Sequence, residues 1–134
     1  MTLVFDTSAL VAMHVAGAAR AVALKTIQGD ELICCSALAL SEAIALVDRL
    51  TDQPVLRENL EDEIRHTWDY VAVVPVDQRC LDDAALMTRD QPLQISNAIH
   101  LAAAARLPQP IRFVTFDAAQ IPVALSLGFD VVST

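Results

Sequence analysis

Leu3-Val4-Phe5-Asp6-Thr7-Ser8-Ala9-Leu10, near the start of the chain, decides how the rest is read. Leu3 to Phe5 is an apolar run of strand length, the kind found in a sheet buried on both faces. Asp6, Thr7 and Ser8 are all good helix-capping types, so this strand should give way at once to a helix. The pattern then recurs. Leu32-Ile33-Cys34-Cys35 is a second strand, with Ser36 expected to cap a helix reaching Leu50. Val71-Ala72-Val73-Val74 is a third, stopped by Pro75, and Arg112-Phe113-Val114-Thr115-Phe116 is a fourth, ending in Asp117. Gly128 closes a short helix in the position glycine favours, and Asp130-Val131-Val132 makes a fifth strand.

Helical patterns fill the intervals. One run extends from Ala18 to about Gln28, beyond Gly17. Another starts at Pro54, with Leu56, Leu60, Ile64 and Trp68 on one side and Arg57, Glu58, Glu61, Asp62 and Arg65 on the other. Asp77 begins a helix to about Arg89, and Ile95 to Leu107 forms an Ala-rich helix closed by Pro108 and Pro110. Short apolar strands alternating with helices predict an α/β fold with a mainly parallel sheet. Residues 1–134 are read as a single domain. In such sheets ligands bind beyond the carboxyl ends of the strands, where the strand order reverses. Asp6 and Asp117 each follow a strand there.

Composition narrows the function. The chain is 54% hydrophobic with a mean hydropathy of +0.44, so a well-filled core is expected and disorder is not. No apolar stretch reaches the roughly 18 residues of a membrane span; the longest, Cys34 to Val47, is broken by Ser36, Ser41 and Glu42. Met1 to Phe5 runs into Asp6 without a basic region, so no signal peptide, no membrane association and a cytoplasmic location are expected. Cys34, Cys35 and Cys80 form no spaced metal motif and read as reduced, buried thiols. Glycine occurs only at 17, 29 and 128, which calls for short, ordered connections. Nine basic against seventeen acidic residues give a net charge of −8, the opposite of a nucleic-acid footprint. Any chemistry on RNA must rest on a local site.

Glu42 is the most informative acidic residue. Its helical neighbours at i±3 and i±4 are Ala39, Ala45, Leu38 and Leu46, with no base in reach. A carboxylate there must be neutralised, paired across the fold or bound to a metal. Asp6 could cap the following helix or belong to a site. Asp117 could open a capping box with Gln120, although Pro122 puts the regular helix a few residues later. Asn97 interrupts an apolar helix beginning, where it and Ser96 could both cap. His100, one turn on, reads as a packed core histidine, and no Ser-His-Asp or Cys-His set is apparent.

Taken together, Phe5-Asp6-Thr7-Ser8-Ala9-Leu10, Ser36 through Glu42, Asn97-Ala98-Ile99-His100-Leu101-Ala102 and Phe113-Val114-Thr115-Phe116-Asp117 resemble PIN-domain proteins. The likeness spans the whole chain and is greatest to the VapC-type toxins of bacterial toxin–antitoxin pairs. It implies a three-layer α/β/α sandwich with a central five-stranded, mainly parallel sheet. It also implies a ribonuclease using Mg²⁺ or Mn²⁺ held by Asp6, Asp117 and Glu42, the last directly or through water. Thr7 or Ser8 would help shape the site. The implied partners are an RNA substrate, a cognate VapB-type antitoxin lying over the active site, and a second copy of the chain in a homodimer.

The sequence departs from the family at one place. Where the family has an Asp directly before Ala-Ile/Leu-His, this chain has Asn97. Asn97 keeps an oxygen but loses the charge, which implies weaker hold on a second cation and slower turnover. Asp90, seven residues earlier in a loop, is a poor substitute. The alternative is a catalytically impaired PIN fold acting mainly through antitoxin binding. A receiver-like domain would need an acidic pair near the first strand, and a dehalogenase-type phosphatase would need Asp-x-Asp at Asp6-Thr7-Ser8; neither pattern is present.

Overall fold

A computed structural model describes residues 1–28 and 31–134, leaving Gly29 and Asp30 outside. The elements run β1 (Thr2–Phe5), α1 (Thr7–Ala12), α2 (Ala18–Thr26), β2 (Ile33–Ser36), α3 (Leu38–Leu50), α4 (Pro54–Trp68) and β3 (Ala72–Val74). They continue with α5 (Gln78–Asp90), α6 (Ile95–Ala105), β4 (Ile111–Val114), α7 (Ile121–Ser126) and β5 (Asp130–Val132). The five strands are parallel, in the order β3-β2-β1-β4-β5. From β1 the chain builds outward through β2 and β3, then crosses back to lay β4 on the other side. The order therefore reverses between β1 and β4, and a crevice opens beyond their carboxyl ends.

Alternation along each strand sorts the core into two layers. Leu3 and Phe5 of β1, with Ile33 and Cys35 of β2, pack against α1, α2, α3 and α4. Val4 of β1, with Ile111 and Phe113 of β4, packs against α6 and α7 on the opposite face. Val74, α5 and the alanines of α6 complete that second layer. This is the α/β/α sandwich expected from the sequence. Ala98, Ala102, Ala103 and Ala104 are all buried, and their small side chains let α6 lie close to the sheet.

Several boundaries differ from expectation. Ser36 does not cap α3: it is the last residue of β2, Ala37 precedes the helix without a side-chain cap, and the Ser36 hydroxyl turns to His100. β4 ends at Val114, where its partner β1 ends at Phe5. Thr115 and Phe116 lie beyond, so Asp117 stands three residues past the strand. Ser96 and Asn97 lie inside α6, whose N-cap is Gln94. Asp77 caps α5 by accepting from Cys80 N, as the sequence suggested. On α4 only Ile64 of the apolar stripe is fully buried, while Leu56 near the helix start is 47% exposed.

Candidate active site

Asp6 is fixed by the strand-to-helix junction that opened the sequence. It is the N-cap of α1, and its Oδ1 accepts from Ala9 N at 2.9 Å and Ser8 Oγ at 2.6 Å. Its Oδ2 accepts from Thr115 Oγ1 at 2.5 Å and from Gln120 Nε2 at 2.8 Å. The capping role expected as one possibility is therefore present, and it does not take Asp6 away from the cleft that it lines. Burial raises the Asp6 pKa, against the lowering effect of the Ser8, Thr115 and Ala9 hydrogen bonds and of nearby His100. Only 1% exposed, this carboxylate faces no lysine or arginine partner.

Glu42 solves its problem across the fold. Its Oε1 accepts from Thr7 Oγ1 at 2.7 Å and from His100 Nε2 at 2.5 Å. Nδ1 of the same imidazole meets Ser36 Oγ at 2.8 Å. With Nε2–H donating to the carboxylate, Nδ1 accepts the serine hydroxyl, which satisfies both ring nitrogens. The His100 hydrogen bond holds the Glu42 carboxyl below its ordinary pKa; burial opposes this, and Thr7 and Ser96 reinforce it. His100 is buried, as the sequence reading had it, but its buried position supplies the partner that Glu42 lacked on its own helix. Ser36, His100 and Glu42 do form a chain resembling a hydrolase triad, which the sequence did not disclose. Ser36 is only 2% exposed and therefore offers no nucleophile.

Asn97 and Asp117 meet directly. Asn97 Nδ2 donates to Asp117 Oδ2 at 3.1 Å, while Asp117 Oδ1 accepts from Ala119 N at 3.0 Å and caps the turn 118–120. Gln120 does not reach back as a capping box requires. It points inward to Asp6 and approaches Asn97 Oδ1 at 3.4 Å. Asp6, Glu42, Asn97 and Asp117 all line one cleft of about 310 Å³, together with Thr7, Ser8, Arg49, Ser96, His100 and Gln120. It lies at the β1/β4 crevice. All four candidate residues are brought together there.

Residues 3–134 match the family model for the PIN domain. The chain belongs to the PIN domain family. Solved structures agree on the fold. VapC20 of Mycobacterium tuberculosis is 18% identical, with a TM-score of 0.72 over 91% of this chain and 95% of that one. The FitAcB structure from Neisseria gonorrhoeae is 19% identical, with a TM-score of 0.64 over 97% and 96%. A toxin–antitoxin complex from Klebsiella pneumoniae is 18% identical, with a TM-score of 0.62 over 87% of each chain. No curated protein sequence gives a significant match.

The donors in this PIN domain are hard oxygens from carboxylates, amides and hydroxyls, the set preferred by Mg²⁺ and Mn²⁺. Among the described residues, no three His, Cys, Asp or Glu side chains converge into a metal cage. Mg²⁺ usually keeps several waters and takes only one or two carboxylates, a demand these residues can meet.

Sequence reasoning missed Thr115, Gln120 and Arg49. Gln120 had the same signal as Glu42, a polar residue alone in an apolar stretch, Ala118 to Ala124, but its amide carries no charge to draw notice. Thr115 was hidden inside an expected strand. Arg49 stands seven residues after Glu42 on α3, close to two helical turns, which returns it to the same face.

Proposed function

We propose that this PIN domain is a ribonuclease that hydrolyses phosphodiesters with a divalent cation, and that it is the toxin of a toxin–antitoxin pair. The observation carrying the reading is the meeting of Asp6, Glu42 and Asp117 in one cleft at the sheet's switch point. VapC20 is described as a sarcin–ricin loop cleaving toxin, which supports RNA as the substrate class.

Asp6 and Asp117 would hold the cation, with Glu42 beside it, and Mg²⁺ and Mn²⁺ both suit these donors. Once bound, such an ion supplies Lewis-acid activation of water and offsets charge on the phosphate. The protein does the positioning. Ser8, Ala9 and Thr115 lock the Asp6 carboxylate in one orientation. Thr7 and His100 tie down Glu42 Oε1, and Oε2 is the atom that would take up a proton from the attacking water. Asn97 orients Asp117 through its amide. Among the described residues, Arg49 is the only lysine or arginine lining the cleft, and it makes no salt bridge. Arg65, Arg106 and Arg112 are engaged by Glu61, Asp77 and Asp130. Arg49 is therefore assigned to a substrate phosphate.

A partner site adjoins the cleft. Val11, Val15, Leu46, Leu50 and Phe116 line an apolar groove of about 310 Å³, and Ser8 and Leu46 border both groove and cleft. An apolar antitoxin segment laid in this groove would cover the carboxylates. The toxin–antitoxin complex from Klebsiella pneumoniae, which shares the fold, supports that occupant.

Purified protein incubated with a structured RNA and Mn²⁺ tests the activity. Cleavage that disappears in Asp6→Ala is expected. Intact RNA with the parent protein would leave only the reading of a PIN fold that acts by binding its antitoxin.

A further inference from the structure

Gln120 carries a buried side-chain oxygen that no group of the cleft answers. Its side chain is 1% exposed, and its Oε1 is buried with no partner, alone in this respect among the described residues. Its Nε2 meanwhile donates to Asp6 Oδ2 and approaches Asn97 Oδ1. The large majority of buried side-chain oxygens have a donor, so one without a protein partner at a cleft wall calls for an explanation.

The wiring of Asp6 gives the orphaned oxygen a purpose. All four hydrogen bonds to the carboxylate come from protein donors, so a cation reaching it must displace one of them. Ala9 N is backbone. Ser8 Oγ is pinned by Phe116 N at 2.8 Å, and Thr115 Oγ1 by Asp117 N at 3.1 Å. The Gln120 amide is the exchangeable donor, because a half-turn about its terminal bond swaps nitrogen for oxygen in place. In the absence of a cation that half-turn is unfavourable, since Oε1 would then face Asp6 Oδ2 and Asn97 Oδ1 with no proton between them. Around a hard cation the same three oxygens become attractive.

We propose that Gln120 is a further divalent-cation ligand of this cleft, holding Asp6 and Asn97 through its nitrogen without the ion and turning its oxygen inward to receive it. The inference rests on the cation-dependent reading of the cleft and adds a ligand to it. With the amide turned, the Gln120 and Asn97 side-chain oxygens would both be available to the ion alongside Asp6 Oδ2.

The test combines Mn²⁺ calorimetry with side-chain ¹⁵N–¹H spectra of the folded full chain titrated with Mg²⁺. Gln120→Met should lower Mn²⁺ affinity by about 10-fold or more, the scale typical of shells around a metal. Gln120→Glu should raise it while lowering the melting temperature in chelator. In the parent, saturating Mg²⁺ should shift the Gln120 side-chain NH₂ resonances. Parent affinity in both variants, or NH₂ resonances unmoved at saturation, overturns the proposal and leaves the nuclease reading standing. A parent that neither binds Mn²⁺ nor cleaves RNA overturns both. If Gln120→Met fails to fold, Gln120→Glu and the parent spectra still decide.

Discussion

Asn97 donates its side-chain amide to the Asp117 carboxylate across 3.1 Å, bridging α6 and the turn that follows β4. A second carboxylate at position 97 would face Asp117 at the same distance with no proton between them. The amide makes the cation-free cleft self-consistent, at the cost of one negative charge for holding metal.

Asn97→Asp should therefore behave oppositely with and without metal. In chelator it loses a hydrogen bond and gains a like-charge contact, a cost of about 1–3 kcal/mol. Melting should fall by several degrees and recover with Mn²⁺, and Mn²⁺ affinity should rise about 10-fold, or about 1.4 kcal/mol. Equal melting of parent and variant in chelator would remove this account of Asn97.

Glu42 should contribute stability with a defined pH signature. Its folded pKa lies below the ordinary value of 4.5, chiefly through His100, so its contribution is fully present above 4.5 and is lost as pH falls through the lower folded value. Asp6 has the opposite sign: its folded pKa is raised, so its contribution is complete below 3.8 and is lost as pH rises through the folded value. Urea titrations of Glu42→Gln against the parent, in chelator, keep Asp6 constant. The variant should cost about 1 kcal/mol at neutral pH, a difference that closes in acid. A gap independent of pH contradicts the His100–Glu42 assignment.

Arg49→Ala should weaken RNA binding without touching the carboxylates. Loss of one phosphate contact flattens the log–log salt dependence by about 0.7 for single-stranded RNA. KM should rise with kcat nearly unchanged, and Arg49→Lys should restore the salt slope. A lowered kcat with an unchanged salt slope would place Arg49 outside the substrate path.

The thiols offer a check on the core. Cys35 and Cys80 are buried, Cys34 is half-buried, and burial pushes all three pKa values upward. Under native conditions iodoacetamide should modify Cys34 slowly and spare the other two, with all three reacting after denaturation. Rapid native labelling of Cys35 would contradict the packing of β2.

The fold was legible because each layer left a local mark: apolar runs for the strands, periodic patterns for the helices, Gly128 at a helix end. Boundaries were less legible where tertiary pairing decided them. β4 stops at Val114 because β1 stops at Phe5, and nothing within residues 111–117 records that. Glu42 could be singled out from its own helix, but its partner His100 lies 58 residues away and looked like core. Gln120 was read only as a capping-box partner of Asp117, because its contacts, Asp6 and Asn97, are 114 and 23 residues distant. Sequence disclosed which charges lacked a local excuse; only the fold disclosed who answers them.

Anomalous diffraction from a crystal soaked in millimolar Mn²⁺ decides whether this cleft holds a divalent cation. A manganese peak is expected between Asp6 and Asp117, in coordination contact with at least one of their carboxylates. A cleft without anomalous density, with Asn97 still bonded to Asp117 and Gln120 to Asp6, would contradict it.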